Sequence, residues 1–534
     1  MMISLSELQN SMSFIAKVNK HLDSYPKYHN EWFIASIATL SGAMFGFDVS
    51  SMSAFISQDA YREFFNFPSS TKQGAITAAV SGGCLIGSLL SDTFAEPIGR
   101  RTTLIVSCFF WIIGAIVQST CRNIAQLVMG RILSGVAIGI GSVVTPTYIS
   151  EISRARMRGV LGGTFQLAIT FGILVMFYIG YGCTFIPGEN SFRAAWAIQM
   201  IPALLLLAGI PFLPESPRWL ANHDQWDKAE AVLKKVYEKD NTDQFFIELE
   251  ELKESIVFFK SSKEITYFSL FSKQNWRSTT VAISAQAWNQ LTGMNCMMYY
   301  IVYIFEMIGS SGNSNLVSSS IQYVVNFGVT IISLPLPEYV GRRPLMIIGG
   351  FAMMICLFIE GALFAVYSEK IPNVSADATV VIRIPDDHKE VGKAIAAFSY
   401  LFVACFASTW AVVSWAYFPE VLPNRTRTKA GSIAVSCDWA LNFAIAMFTP
   451  SAFRNITWRT YFVFGSFCGA MSIHCFLQFP ETKGKTLEEI DMAFQENIPA
   501  WRTSSFQAHL TSENLGVEDT EKDQKTEYIE DRSE

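Results

Sequence analysis

Twelve stretches of about twenty mostly apolar residues run through this chain, and that repetition constrains its fold more than any other feature. A bilayer core about 30 Å thick is crossed by roughly 20 residues of helix. In hydrocarbon every backbone N–H and C=O must find its partner within the protein, which makes such stretches helical. They begin near Trp32, Ala75, Thr102, Ile124, Gly159 and Phe192, then near Thr279, Leu316, Leu345, Ala394, Ala430 and Trp458. The expectation is an all-α membrane protein of about twelve transmembrane helices. Composition agrees, since 50% of the 534 residues are hydrophobic and 16% are charged, where soluble domains carry about 25% charged residues. The first run follows Lys17, Lys20 and Lys27, is long enough to span, and reads as an uncleaved signal-anchor helix.

The runs divide the chain. Residues 1–31 form a polar N-terminal segment, 32–213 a first set of six spans, 214–277 a polar connection, 278–479 a second set, and 480–534 a hydrophilic tail. Basic residues gather in alternate connections: Arg100 and Arg101; Arg154, Arg156 and Arg158; Arg342 and Arg343; Arg425, Arg427 and Lys429. By the positive-inside rule these connections, the central one and both termini are cytoplasmic. In the central connection Asp224 is placed to cap a helix through Trp226, Ala229, Val232, Leu233 and Val236. Phe245, Ile247, Leu249, Leu252 and Ile256 suggest a second amphipathic helix. A segment of about 55 residues without pocket chemistry is no catalytic domain, and no nucleophile–base constellation appears elsewhere. No basic stripe suits nucleic acid, and no Cys/His cluster suits a metal. The cysteines read as small buried hydrophobes, although Cys121 and Cys183 both fall on the outer side and are candidates to pair.

The two sets of spans repeat one another. Gly99-Arg100-Arg101 follows the second span and Gly341-Arg342-Arg343 the eighth. Glu151 with Arg154, Arg156 and Arg158 follows the fourth span, and Glu420 with Arg425, Arg427 and Lys429 follows the tenth. Pro214-Glu215-Ser216-Pro217-Arg218 closes the first set and Pro480-Glu481-Thr482-Lys483-Gly484 the second. Two six-helix halves in parallel repeat, with a site between them near the midplane, is the layout of major facilitator carriers.

Together with Gly46-Phe47-Asp48, Gly130-Arg131, Gln290-Leu291-Thr292-Gly293-Met294-Asn295 and Tyr299-Tyr300, these motifs give a close resemblance. Over about residues 32 to 490 the chain resembles the sugar porter family of the major facilitator superfamily, nearest to the fungal high-affinity glucose transporters. The resemblance implies a plasma-membrane hexose carrier working by alternating access. It also implies a proton as the second passenger, no cofactor, and function as a monomer in the lipid bilayer.

A sugar edged with hydroxyls needs uncharged amides around a wet cavity and an aromatic face for its C–H surface. The spans supply Gln166, Gln286, Asn289, Gln290, Asn295, Asn326 and Asn442, with Trp415 and Trp439 for rings. An isolated amide in a span often bonds a neighbouring helix instead, and it is the match to sugar-porter positions that implies binding. Gln286 and Gln290, one turn apart, share a helix face, and Gly293 lets the backbone beside Asn295 leave the helix. Tyr299 and Tyr300 fall where the family bends this helix to occlude the site, or else belong to the interfacial aromatic belt. Asp48 is an acid deep in the first span, expensive there and usually functional. Arg131 is its natural partner, and the resemblance implies that the pair breaks when Asp48 takes a proton. A permanent tie between two helices is the alternative. Around the Gly-Arg-Arg motifs, Glu96, Glu151, Glu215, Glu338, Glu420 and Glu481 are placed to pair with Arg100, Arg101, Arg342 and Arg343. Such pairs would latch the halves at the cytoplasmic side, besides anchoring topology.

Gly135, Gly139 and Gly141 read as close helix packing and not as a phosphate loop. His474 reads as packing, and Asn373-Val374-Ser375 as a glycosylation candidate in the long outer loop. Three departures from the family pattern stand out. Asn289 replaces the first glutamine of the usual pair, and the tenth span lacks the Gly-Pro found in many members, so it is expected to bend less. Prolines 335 and 337 interrupt the end of the eighth span. The alternatives to a proton-coupled hexose carrier are a facilitative carrier of another sugar or polyol, and a non-transporting sugar receptor.

Overall fold

The computed structural model describes residues 21–505, apart from short breaks at 57, 155–156, 310–311, 372–378, 424–425 and 486 and several between 238 and 274. Twelve helical spans account for most of it. Spans 1 to 6 are Glu31–Ser53, Ser70–Ile98, Arg100–Ser119, Ile124–Ile152, Val160–Cys183 and Asn190–Phe212. Spans 7 to 12 are Trp276–Ile308, Ser314–Ser333, Arg342–Tyr367, Asp386–Glu420, Lys429–Asn455 and Arg459–Gln478. The apolar runs place all twelve within a few residues, except that span 10 starts earlier, with a short 3₁₀ turn at Asp386–His388.

Helices in lipid gain nothing from hiding apolar surface from one another, so they associate through close van der Waals packing over small residues. Spans 2 and 4 show how close. A Cβ on Gly135 would stand 2.1 Å from the Val80 carbonyl oxygen, and one on Gly139 2.2 Å from that of Cys84. The packing expected of these two glycines is confirmed, while Gly141 sits more loosely beside Ser41. The halves meet along spans 2 and 11, where Ser81 Oγ donates to Asn442 Oδ1 (2.7 Å) and Ser88 and Ser436 share a hydrogen bond of 3.0 Å. Spans 5 and 8 form the second seam, with Phe177 against Tyr323 and Phe171 against Phe327.

The repeated motifs build the same structure twice on one face of the bundle, here called the basic face. Only one residue separates span 2 from span 3. That residue is Gly99, at φ 87°, and its counterpart Gly341 has φ 106°. Left-handed backbone suits glycine. The carboxylate of Glu215 then accepts from the backbone N–H groups of Arg100 (3.0 Å), Arg101 and Ser216. Glu481 accepts from those of Arg342 (3.0 Å), Arg343, Thr482 and Lys483. An acid at a helix N-terminus meets its unpaired N–H groups and the positive end of its dipole. Tyr148 donates to Pro214 O at 2.5 Å, and Tyr417 to Pro480 O at 2.8 Å. A Cβ on Gly341 would lie 2.7 Å from Glu481 Oε2, whereas one on Gly484 (φ 68°) meets nothing within 4 Å. Gly341→Ala is therefore expected to lower the melting temperature of the purified protein clearly more than Gly484→Ala, which adds backbone strain of only ~1–2 kcal/mol. Equal losses would show that the carboxylate cap is not seated as described.

Several expectations change here. The ion pairs described for the residues of the two Gly-Arg-Arg motifs lie within a half: Arg100 with Glu151 (2.9 Å), Arg101 with Glu215 (3.3 Å) and Asp23 (2.8 Å), Arg342 with Glu338 (2.6 Å) and Glu420 (3.1 Å). Each of these pairs braces neighbouring elements of its own half. Glu96 contributes its carbonyl, which accepts from Trp219 Nε1, and Arg343 lies over the Phe476 ring and donates to Phe476 O. Asp224 is not the cap of the helix Trp226–Val236; it occupies left-handed backbone (φ 57°) and Gln225 takes the cap position. Phe245, Leu249, Leu252 and Ile256 do pack with Trp219 and Leu233 beneath the bundle, while Ile247 falls outside the described residues, as do Asn373 and Arg425. Cys121 and Cys183 are free thiols. His474 Nδ1 accepts from Trp288 Nε1 at 2.7 Å, a packing role as expected.

Span 10 breaks at a point that has neither glycine nor proline. Its helix stops at Ser408 and restarts at Trp410, with Thr409 between them at φ −127°, ψ −83°. Thr409 Oγ1 donates to Cys405 O (2.6 Å), replacing a backbone bond with a side-chain one. Trp410 anchors the restart by donating from Nε1 to Met346 O of span 9 (2.9 Å).

Candidate functional site

Span 7 positions most of the site because it is built in pieces. Helix Trp276–Leu291 ends where Thr292 Oγ1 donates to Asn289 O, Gly293 turns left-handed at φ 86°, and Met294–Ile308 begins a new helix. The break exposes polar side chains from both pieces to a cavity of about 50 Å³ between the halves. Span 1 lines it with Phe45 and Val49, span 5 with Gln166, Ile169 and Ile173. From the second half come Asn289, Gln290, Met294, Asn295, Met298, Asn326, Phe406, Ala411 and Trp415.

Six of the nine candidate binding residues therefore share this cavity. Gln286, Asn442 and Trp439 stand outside its lining. Gln286 is fully buried and reaches Ser414 O of span 10 (3.4 Å). Asn442 links the halves: its Oδ1 accepts from Ser81 and from Tyr299 OH (3.4 Å), and its Nδ2 donates to Gln290 Oε1 (3.3 Å). The same Gln290 oxygen accepts from Asn295 Nδ2. Asn289 Oδ1 and Asn326 Oδ1 have no hydrogen-bond partner, and buried acceptors left open in a cavity are offered to a ligand or to water. The apolar side chains of the lining were not legible in advance, since a Met or Phe facing a cavity looks no different in sequence from one facing lipid.

Aromatic residues flank the cavity on both sides. Toward the basic face Trp415 packs against Phe165 (5.9 Å between centroids) and Trp439 against Phe45 (4.9 Å), with Trp439 Nε1 donating to Ser142 Oγ. Trp439 is thus a contact between halves and not a wall of the cavity. Toward the opposite face span 7 kinks again at Tyr300 (φ −121°, ψ 18°), whose hydroxyl donates to Ala446 O at 2.9 Å. Tyr300 stacks on Tyr303, and beyond them Arg62 and Glu306 pair across the halves at 3.6 Å. Both tyrosines are buried, which sets aside the interfacial belt.

One turn from Phe45 lies the expected pair. Arg131 Nη2 stands 3.5 Å from Asp48 Oδ2, with the two residues 0% and 1% exposed. The contact is loose for a buried pair, and Asp48 Oδ1 and all three Arg131 nitrogens lack hydrogen bonds. Two buried charges need close geometry and further hydrogen bonds to offset their desolvation. This pair has neither.

Residues 34–494 match the family model described as "Sugar (and other) transporter". The chain belongs to this transporter family. It is 49% identical over 495 residues to High-affinity glucose transporter 1 of Candida albicans, covering 92% of this chain and 90% of that one. It is 47% identical over 485 residues to the high-affinity glucose transporter of Kluyveromyces lactis, covering 90% and 88%. Among solved structures, the proton:xylose symporter XylE bound to 6-bromo-6-deoxy-D-glucose superposes with a TM-score of 0.73 at 26% identity, covering 86% of this chain and 98% of that one. The inward-open xylose transporter XylE from E. coli gives 0.66 at 26% identity. The transporter has the major facilitator fold and is not an enzyme.

Proposed function

We propose that the protein is a plasma-membrane hexose carrier of the glucose type, working by alternating access and coupled to protons. The observation that carries this reading is the cavity between the halves, where Gln166 from one half meets Asn289, Gln290, Asn295 and Asn326 from the other beside the Trp415 ring. Amides donate and accept without charge, matching a ring of hydroxyls. With hydroxyls held from both sides, the bound sugar draws the halves together, and its release to one side accompanies rocking about the site. The similarity to the high-affinity glucose transporters of Candida albicans and Kluyveromyces lactis supports glucose. XylE's description as a xylose symporter makes a pentose the second cargo to test. By the positive-inside rule the basic face is cytoplasmic, with both termini. The ion pairs there then serve to stiffen each half so that it moves as a unit.

Asp48 and Arg131 provide the coupling. When Asp48 takes up a proton, the pair loses one charge and Arg131 is released from it. The balance between conformations then shifts by whatever the pair contributes differently in the two. In liposomes holding the purified protein, an inward-directed proton gradient should drive glucose above its external concentration. The Asp48→Asn variant should keep glucose exchange and lose accumulation. Undiminished accumulation would remove Asp48 as the coupling group. Absence of any sugar uptake by the wild type would end the carrier reading.

A further inference from the structure

Among the described residues, three carboxyls are buried well away from the span ends: Asp48, Glu360 and Asp438. The first faces Arg131, and the second accepts from Ser399 Oγ at 3.0 Å. Asp438, on span 11, is 1% exposed, its Oδ1 has no hydrogen-bond partner, and the groups turned toward it are the side-chain amides of Gln290 and Asn289. Those two amides line the cavity. A single layer of side chains thus separates the carboxyl from the proposed sugar.

The surroundings contain no described cation in contact with it. On its own helix the titratable neighbour is Cys437; across the seam on span 2 it is Cys84, which also feels Asp48 and Arg131. Span 7 offers the two amides and, further off, Tyr299, whose hydroxyl is given to Asn442. A carboxyl so placed carries a charge only while water or added donors reach it, because an unpaired buried charge is costly. Its hydrogen-bond role also changes with the proton: the carboxylate only accepts, while the acid donates as well. Gln290 has one oxygen and one NH₂, and its oxygen already accepts from Asn295 and Asn442. A proton arriving on Asp438 therefore alters what Gln290 and Asn289 can offer on their cavity side.

We infer that Asp438 is a second proton-binding carboxyl of the carrier, seated in the second half behind the sugar-facing amides, and that it links sugar affinity to pH independently of Asp48. The step is a single proton moving on and off one carboxyl, with no bond to the sugar formed or broken. It rests on the reading of the cavity as a sugar site. By reciprocity, if the proton changes sugar affinity, the sugar changes proton affinity by the same factor.

The test is glucose binding to the purified full chain between pH 5 and 8, by tryptophan fluorescence. In an Asp48→Asn background the affinity should still change with pH, by up to about tenfold per unit where one proton is linked. In Asp48→Asn/Asp438→Asn it should be flat, and Asp48→Asn/Asp438→Glu should restore a slope. A flat profile for Asp48→Asn alone, or an undiminished slope in the double Asn variant, overturns the inference. Where the Asp438 variants do not fold, a pH dye in weak buffer reads the proton taken up or released when glucose is added to Asp48→Asn, and no proton change overturns it. A wild type that binds no sugar at any pH instead removes the carrier reading on which the inference rests.

Discussion

Gln290→Leu is expected to lower kcat/KM for hexose uptake by about two orders of magnitude while the protein still folds. One side-chain oxygen of Gln290 receives hydrogen bonds from Asn295, in the second piece of span 7, and from Asn442, which in turn is held by Ser81 of the first half. Leucine keeps the volume and removes the acceptor. The buried Asn442 donor is left without a partner, at about 1–3 kcal/mol, the half-buried Asn295 donor loses its partner as well, and Asp438 loses one of the two amides facing it. The proposed sugar also loses the residue that ties its contacts in span 7 to the seam between halves. About 3 kcal/mol in the transition state for transport corresponds to a factor of roughly 10². Initial rates in proteoliposomes check this, with thermal melting as the control for folding. Uptake within threefold of wild type would mean that Gln290 is a packing amide.

The second large effect lies on the basic face and concerns stability. Glu481→Ala strips the acceptor from the backbone N–H groups of Arg342, Arg343, Thr482 and Lys483 together. Hydrogen bonds to an ionised group are about twice as strong as neutral ones, and losing a helix cap alone costs ~1 kcal/mol. Water can reach part of this site, so a net loss of about 3 kcal/mol is expected, with melting lowered by roughly 5 °C or more. Glu481→Gln keeps one neutral acceptor oxygen and should lose less. Glu215→Ala should repeat the result in the other half, with the added loss of the Arg101 Nε contact. Ion-pair partners in this region should matter less. Glu338, half-exposed beside Arg342, is an example. Melting of Glu481→Ala within about 2 °C of wild type would sink the idea that the two glutamates hold the repeat together.

The fold and the site differ in how far they could be read from the amino acids. Spans are legible because lipid demands length and apolarity together, and few other structures meet both conditions. The Gly-Arg-Arg and Pro-Glu motifs are legible because each residue type has one steric or electrostatic use: glycine for positive φ, glutamate for a helix start. Gln166, Asn289, Gln290, Asn295 and Asn326 stood out as amides in apolar surroundings, and they do converge. What sequence could not supply was direction. Nothing in the order Glu151, Arg100, Glu215 says whether a pair closes within a half or between halves; only the packing of span 3 against span 4 decides it. Asp438 was open to the argument that singled out Asp48, an acid within an apolar run. Set between Cys437 and Trp439 in a helix rich in small polar residues, it gave a weaker contrast. Asp224 misled because aspartate both caps helices and tolerates left-handed backbone, and here it does the second.

Thr409 has one more implication. A proline removes a backbone donor for good, so a helix interrupted by it stays interrupted whatever else moves. The interruption of span 10 is of another kind: the N–H of Thr409 is intact and donates to Phe406 O at 3.2 Å, one residue short of the helical acceptor Cys405 O. Such a joint can be unlocked. On the proposed alternating-access reading, the helix Trp410–Glu420, which carries Trp415 to the cavity, would be free to join Lys389–Ser408 in one stage and to part from it in another. The difference is on the scale of one hydrogen bond, ~1 kcal/mol. Without the usual Gly-Pro the span is still jointed at this point, and the joint keeps the donor that a closed helix would need.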